Sequence, residues 1–185
     1  MQTAFLIIFL VISFVLCFWQ GSLLFAAIFS APTVYASDQA IIDAFKLAKL
    51  KSGELVVDLG CGNARSLIIA ARIFGAKGVG VEISPYCFLK SRWNVFLAGE
   101  SKNIKIIFGD FKKAKKHLGH ANVVYLYLLN KVLTAIEPWF FAAIKEDARV
   151  VSLSFTFTEH IFIKSAKTFN LGKKTKIFLY GKDNL

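Results

Sequence analysis

The stretch that decides the fold of this 185-residue chain is Val56-Val57-Asp58-Leu59-Gly60-Cys61-Gly62-Asn63-Ala64-Arg65. Its apolar start predicts a buried strand, its two glycines predict a tight turn, and the residues after them predict the start of a helix. In open parallel sheets, ligands bind beyond the carboxyl ends of the strands, and glycine allows the backbone to approach a ligand closely. The stretch therefore predicts a cofactor site at Gly60 and Gly62.

Strands and helices alternate around this stretch. The predicted strands cover residues 54–59, 78–83, 103–108, 122–128 and 148–155. The first predicted helix begins at Ser37. Further helices are predicted over 64–74, 84–98 and 131–144, and the last of them is interrupted at Pro138. The tail, 160–169 and 175–180, is expected to form a hairpin around Asn170-Leu171-Gly172. This order predicts an α/β fold, with a mostly parallel, Rossmann-like sheet covered by helices on both faces and closed by an antiparallel hairpin.

The first 37 residues carry no charged side chain, so all 23 Lys and Arg and all 12 Asp and Glu follow them. Residues 4–29 are almost wholly apolar, and a helix of that length spans a hydrocarbon core of about 30 Å. The pattern predicts a transmembrane anchor over 1–30, then a connecting segment and first helix over 31–52. The cofactor-binding domain is expected over 53–185.

A cleaved signal peptide is the alternative, because Val34-Tyr35-Ala36 before Ser37 resembles a cleavage site. The apolar run exceeds the usual 7–15 residues and no Lys or Arg precedes it, which favours an uncleaved, single-pass anchor. Lysines follow the run, so the positive-inside rule predicts a cytoplasmic domain. The three cysteines suggest no disulfide framework and suit a reducing compartment.

Acidic residues lie at the ends of three successive predicted strands: Asp58, Glu82 and Asp110. No Gly-Lys-Ser/Thr follows the glycine turn, and Arg65 stands where dinucleotide enzymes have a third glycine, so phosphate-binding sites are disfavoured. A carboxylate at Asp58 suits an ammonium group, Glu82 suits two ribose hydroxyls, and Asp110 with Phe111 suits adenine. These residues predict S-adenosyl-L-methionine as the cofactor.

With these motifs the chain resembles class I S-adenosylmethionine-dependent methyltransferases over 37–182. It looks more closely like the small membrane-anchored group related to mitochondrial lysine methyltransferases of the ATP synthase c-subunit and the adenine nucleotide carrier. The resemblance rests on the apolar leader and on Ala31-Pro32-Thr33-Val34-Tyr35, Asp58-Leu59-Gly60-Cys61-Gly62, Val81-Glu82-Ile83 and Val123-Val124-Tyr125-Leu126-Tyr127-Leu128-Leu129. The cofactor-binding residues then expected are Asp58, Gly60, Cys61, Gly62, Asn63, Glu82, Ile83, Asp110 and Phe111. Relatives usually have Gly-Asp-Gly-Arg where this chain has Gly62-Asn63-Ala64-Arg65.

The resemblance implies a methyltransferase that N-methylates a lysine of a membrane protein, and it places residues 125–129 near the transferred methyl. Tyr127 and Asn130 are the candidates for the acceptor channel. Methylation of a lipid or small molecule at the membrane, and a non-catalytic tethered binding module, remain alternatives. The lysines at 112–116 and 164–176 favour contact with anionic lipid over nucleic acid, because no stacking-aromatic RNA motif accompanies them. The histidines lack partners at ligand spacing, so no metal site is predicted.

Overall fold

A seven-stranded mixed sheet organises the domain in the computed structural model, which describes residues 2–29 and 35–182. The strands are β1 Leu55–Leu59, β2 Lys77–Glu82, β3 Ile104–Phe108, β4 Val123–Leu126, β5 Arg149–Leu153, β6 Lys164–Asn170 and β7 Lys173–Tyr180. Their order is β3-β2-β1-β4-β5-β7-β6. The first five are parallel, and β7 is antiparallel to both of its neighbours. The predicted α/β sheet with a closing antiparallel hairpin is therefore confirmed.

The helices are α1 Gln2–Phe29, α2 Asp38–Leu47, α3 Arg65–Phe74, α4 Pro85–Leu97, α5 Lys115–Leu118 and α6 Asn130–Ala143, with a 3₁₀ turn at Phe111–Ala114. Two of them begin as the sequence predicts. The Ser37 hydroxyl accepts a hydrogen bond from the Ala40 N–H, and the Ser84 hydroxyl accepts one from the Cys87 N–H ahead of α4. Such caps satisfy amide groups that the first helical turn leaves unpaired.

Helices cover both faces of the sheet, as the continuous apolar strands predict. On one face α2 and α3 bury Phe45 and Leu67 against the sheet. On the other face α6 and α5 bury Phe140 and Leu118. The carboxyl ends of the five parallel strands consequently meet at one edge, which we call the carboxyl edge.

One prediction about the helices was wrong. Helix α6 continues through Pro138, where the sequence suggested an interruption. Buried residues on both sides of the proline, Leu133 and Phe140, pack the helix onto the sheet, and this packing outweighs the missing N–H of proline. The run at 112–116, whose lysines were predicted to favour contact with anionic lipid, exposes all four of them. It is largely helical because Ala114 and Leu118 are buried beneath it.

The N-terminal helix α1 contains a window, Gln2–Gly21, that is long and apolar enough to cross a membrane. Its mean hydropathy is 2.4, and none of the window is buried inside the protein. This assignment rests on length and composition alone, so the anchor and its orientation stay predictions. Ala31-Pro32-Thr33 of the predicted connecting segment and Val34 of the alternative cleavage motif lie outside the described residues.

Candidate functional site

The glycine turn leads from β1 at the carboxyl edge into α3. Gly60 and Gly62 have φ angles of +76° and +54°, which favour glycine over residues with a side chain. The Gly60 N–H donates to the carbonyl of Val81 at 2.8 Å and thereby fastens the turn to β2. A Cβ at Gly60 would lie 3.2 Å from Leu128 Cδ2 and 3.7 Å from the Phe111 ring. The turn thus lies directly beneath side chains that follow β3 and β4.

Glu82 ends β2 and holds this turn from the other side. Its side-chain oxygens accept hydrogen bonds from the N–H groups of Gly62 at 2.9 Å and Ser84 at 2.8 Å. The residue is 7% exposed, and this burial raises the pKa of the carboxyl, while the backbone N–H donors partly oppose the rise. The Ile83 N–H also donates to this carboxyl, and a carboxylate has about four acceptor positions, so acceptor capacity remains on its oxygens. Ile83, the next residue, is half-buried.

Asp58 lies near the end of β1, paired with Gly80 of β2 and Tyr125 of β4. Burial raises its pKa to about 7; the Ser66 hydroxyl, which donates to the carboxylate, lowers it, and the charge of Glu82 raises it further. The buried Tyr125 hydroxyl has no hydrogen-bond partner among the described residues. A titrating carboxyl and an unpaired buried hydroxyl therefore occupy one row of the sheet.

Cys61 packs into the protein at this turn. Its N–H donates to the Val81 carbonyl at 3.2 Å, and its own carbonyl accepts from the Ala64 N–H at 2.8 Å. A Cβ at Gly80 would lie 2.6 Å from the Cys61 sulfur, so the sulfur occupies space that only glycine leaves open. This gives Cys61 a packing role, and its expected contact with a cofactor stays a prediction. The partner glycine at position 80 was not anticipated from the sequence.

Asn63 and Ala64 complete the turn. The Asn63 side-chain oxygen accepts from the Arg65 N–H at 3.2 Å, and its carbonyl accepts from the Asn94 amide at 3.0 Å. Ala64 has a φ angle of +62°, an unusual conformation for a residue with a side chain. Arg65 binds Asp38 at the start of α2 through two hydrogen bonds. The departure from the usual Gly-Asp-Gly-Arg pattern therefore keeps the glycine-like backbone without the glycine.

Beyond β3 the chain turns at Asp110, which is exposed. One oxygen of its carboxylate accepts from the Lys112 N–H at 3.1 Å and caps the 3₁₀ turn. Phe111 is half-buried, and its ring contacts the space above Gly60. The structure thus brings Phe111 to the glycine turn, next to the carboxyl ends of β1 and β2.

Tyr127 and Asn130 follow β4 at the same edge. Tyr127 is half-buried, its ring stacks on Phe155 at 6.1 Å between centroids, and its hydroxyl accepts from the Asn170 side-chain amide at 2.9 Å. Asn170 in turn accepts from the Ser37 N–H at 2.7 Å. Asn130 is exposed and is the first residue of α6. Sequence reasoning missed Asn170, because only the hairpin brings it to Tyr127.

The carboxyl edge thus has two parts. One part contains the glycine turn, Asp58, Glu82 and Phe111, and we call it the cofactor side. The other contains Tyr127, Asn130 and Asn170, and we call it the acceptor side. Buried carboxylates beside open backbone can bind hydroxyl and ammonium donors, whereas the half-buried Tyr127 ring, stacked on Phe155, can exclude water from a second reactant.

Comparison with known proteins agrees with this geometry. The family model of the ANTKMT methyltransferase domain matches residues 58–163. A protein-lysine N-methyltransferase of Saccharolobus islandicus (strain REY15A) is 31% identical over 125 residues, covering 67% of this chain and 76% of that protein. The lysine N-methyltransferase of the ATP synthase c-subunit from Homo sapiens is 29% identical over 126 residues, covering 68% of this chain but only 52% of that protein.

A solved structure shows the same fold with ligand. An RNA methyltransferase from Salinibacter ruber, in complex with S-adenosyl-L-homocysteine, is 30% identical with a TM-score of 0.69. The superposition covers 76% of this chain and 88% of that one. These comparisons confirm the predicted activity class, methyl transfer, and the predicted cofactor, S-adenosyl-L-methionine. The chain belongs to the ANTKMT methyltransferase domain family and is an S-adenosylmethionine-dependent methyltransferase.

Proposed function

We propose that this protein transfers a methyl group from S-adenosylmethionine to a lysine of a membrane protein near the cytoplasmic membrane surface. The observation that supports this best is the combination of the cofactor side with an N-terminal helix apolar enough to cross a membrane. The names of two kinds of relative, a protein-lysine N-methyltransferase and the lysine N-methyltransferases of the ATP synthase c-subunit, support lysine as the acceptor.

Three carboxylates divide the contacts of the cofactor between them. Glu82 holds the two ribose hydroxyls with the acceptor capacity left after Gly62 and Ser84 have donated to it. Asp58 faces the ammonium of the amino-acid end, and ionisation of this carboxyl near neutral pH suits that role. Asp110 accepts from the adenine amino group while Phe111 lies against the base.

The backbone and the unpaired hydroxyl also fit this ligand. The left-handed backbone of Gly60 and Gly62 lets the cofactor approach the main chain closely. The half-buried Asn63 and Ile83 line the rim of the same site. Tyr125 presents a buried hydroxyl that a polar ligand atom near Asp58 would satisfy. When bound, S-adenosylmethionine supplies a methyl group on a positively charged sulfur that an amine can attack in line.

On the acceptor side, Tyr127 orients the lysine. Its hydroxyl oxygen accepts one hydrogen bond from Asn170 and can accept a second from an amine N–H. The stack with Phe155 fixes the ring, and Asn130 lies at the outer rim. A lysine amine held in this way directs its lone pair toward the methyl group, which is the alignment that accelerates such a displacement.

A lysine must lose its proton before it can be methylated. With a reference pKa near 10.4, only about one lysine in two thousand is neutral at pH 7. A site that excludes water and lies near a positive sulfur favours the neutral amine. The proposed chemistry therefore needs no dedicated general base, and the acceptor side serves to align the amine and remove it from water.

The direct test is to incubate the purified full chain and membranes with methyl-labelled cofactor. We expect label on a lysine of a membrane protein, identified by mass spectrometry of the labelled band. Label in the lipid extract would favour the lipid alternative. Label in RNA would favour the activity named for the Salinibacter protein. Cofactor binding without transfer to any fraction would indicate a tethered binding module.

The proposed tether has its own test. Removing residues 1–30 should leave cofactor affinity unchanged but sharply reduce methylation in membranes, because the anchor raises the effective concentration of membrane-bound acceptors. A tag after Leu185 should be protected from protease in intact cells. A mature protein beginning at Ser37 would instead support the signal-peptide alternative. If the truncated enzyme labels its acceptor as fast as the full chain does, the acceptor is not confined to the membrane.

A further inference from the structure

The turn between β6 and β7 places a leucine in a left-handed backbone conformation that is strained for a residue with a side chain. Asn170 pairs with Lys173, and the two residues between them, Leu171 and Gly172, have φ angles of +49° and +79°. A two-residue hairpin turn with both φ angles positive favours Asn, Asp or Gly at its first position, because side chains are strained there. Leu171 is nevertheless 66% exposed. A strained backbone that displays an apolar side chain to solvent indicates a contact made at this tip.

The surroundings of Leu171 are apolar and cationic. Phe169, two residues before it, is 57% exposed. The hairpin from 164 to 180 contains five lysines and no acidic residue. Lys167 stands directly opposite Lys176 in the ladder, a like-charge pair that destabilises the hairpin unless anions are near. An exposed apolar tip surrounded by lysines is the composition of segments that bind the surface of anionic membranes.

The same tip is fastened to the point where the chain arrives from α1. The Ser37 N–H donates to the Asn170 side chain at 2.7 Å, and the Ser37 hydroxyl donates to the Phe169 carbonyl at 3.0 Å. Ser37 follows Phe29, the end of α1, by eight residues, which span at most about 26–29 Å. A membrane that holds α1 therefore lies within reach of the tip.

We propose that Leu171 and Phe169 insert into the interfacial layer of an anionic bilayer, where Lys167, Lys173 and Lys174 contact lipid headgroups. This inference rests on the proposed function, because it requires α1 to be in the membrane. The Asn170 amide donates to the Tyr127 hydroxyl, so insertion of the tip also holds the acceptor side against the bilayer surface. The hairpin thus orients the enzyme toward lysines at the membrane surface, a task that a flexible tether alone does not perform.

Site-specific fluorescence on the full chain tests this contact. Leu171→Cys in a Cys17→Ala background is labelled with a polarity-sensitive dye, since Cys61 and Cys87 are buried. The protein is reconstituted into vesicles of phosphatidylcholine with about one quarter phosphatidylglycerol. The matched control carries the dye at Ser101→Cys, an exposed position in the loop that precedes β3, opposite the carboxyl edge. We expect a blue shift and quenching by headgroup-labelled lipid at position 171 but not at 101. Equal emission at both positions would overturn the proposal.

Leu171→Asn supplies a second measurement that does not depend on a dye. Asparagine suits the left-handed turn, so this variant should fold at least as stably as the parent and bind S-adenosylmethionine equally well. Methylation of membrane acceptors should fall several-fold, and methylation in detergent should not change. Unchanged methylation in membranes by a folded Leu171→Asn protein would contradict the inference.

Failure of the hairpin and failure of the anchor give different results. If alkaline washing leaves the protein in the vesicles while the dye at 171 stays in water, the anchor stands and the hairpin proposal is wrong. If the protein washes out and the dye shows no shift, both are wrong. A shift caused by RNA and not by vesicles would also overturn the proposal, because the tip would then contact nucleic acid.

Discussion

The cofactor side and the acceptor side of the carboxyl edge are built from contacts of very different sequence range. On the cofactor side, Glu82 binds the Gly62 N–H across 20 residues and Asp58 binds Ser66 across 8. On the acceptor side, Tyr127 binds Asn170 across 43 residues, and Asn170 binds Ser37 across 133. One strand–helix–strand unit therefore supplies the glycine turn, Asp58 and Glu82 of the cofactor side, whereas the acceptor side requires the whole domain to fold.

The largest effect that we expect from a single change is on the cofactor side. Glu82→Ala removes the proposed acceptor of two ribose hydroxyls and should weaken S-adenosylmethionine binding by about 30- to 150-fold, the equivalent of about 2–3 kcal/mol. Calorimetric titration measures this. Glu100→Ala, in the turn before β3 at the other end of the sheet, is the control and should bind normally. Full affinity in folded Glu82→Ala protein would remove Glu82 from the site.

The packing beneath the cofactor side can be tested through stability. Gly80→Ala would place a Cβ 2.6 Å from the Cys61 sulfur and should lower the free energy of unfolding by about 1–3 kcal/mol. Chemical denaturation is the measurement. Gly119→Ala is the matched control, because the nearest atom to its new Cβ lies 3.8 Å away. Equal stability of the two variants would mean that Cys61 has room to move.

The protonation of Asp58 predicts a pH dependence of binding. Its pKa of about 7 means that the free enzyme is partly protonated there at neutral pH, while a bound ammonium favours the ionised form. Cofactor affinity should therefore rise between about pH 5.5 and 7.5, with release of a proton on binding. Titrations in buffers of different ionisation enthalpy measure that proton. Asp58→Asn should lose this dependence, and a persisting dependence would assign it to another group.

The same carboxyl affects folding with a definite sign. Its folded pKa lies above the ordinary aspartate value of 3.8, so the folded protein keeps a proton that the unfolded chain releases. The contribution of Asp58 to the free energy of unfolding should thus decrease as the pH rises from about 4 to about 7, and then level off. Denaturation across this range, compared with Asp58→Asn, measures the contribution. If the free energy of unfolding of the parent, relative to that of Asp58→Asn, instead increased with pH, the result would contradict the assignment.

The smallest predicted effect is a gain in stability. Ala64→Gly should stabilise the fold by up to about 1 kcal/mol, because glycine avoids the left-handed strain of about 1–2 kcal/mol, and this gain exceeds the loss of the buried alanine methyl, about 0.8 kcal/mol. Ala142→Gly, in the ordinary helical backbone of α6, should destabilise the protein by about the same amount. Thermal unfolding of both variants measures the two changes in stability, which we expect to have opposite signs. Destabilisation by both changes would mean that the turn does not strain Ala64.

Most of the cofactor side could be predicted because its residues follow one another with fixed spacing. The strand Leu55–Leu59, the glycines and Glu82 are specified by local pattern, and the structure places them together. The roles of Gly80 and Ser66 could not be predicted, since their contacts depend on which side chains face each other across β1, β2 and α3.

The acceptor side was predicted only in outline. The family resemblance suggested Tyr127, but nothing local to it indicates Asn170 or the contact with Ser37. The interruption predicted at Pro138 failed for a related reason, because burial of distant parts of α6 outweighs a local preference. Long-range packing therefore decides what the local pattern leaves open.

The separation of the two sides is tested most directly by binding and turnover measured together on two variants. Glu82→Ala should weaken cofactor binding by about 30- to 150-fold, whereas Tyr127→Phe should bind cofactor within about twofold of the parent and transfer methyl about 2- to 10-fold more slowly. A Tyr127→Phe protein that loses cofactor affinity, or a folded Glu82→Ala protein that keeps it while losing only turnover, would contradict the assignment of the two sides.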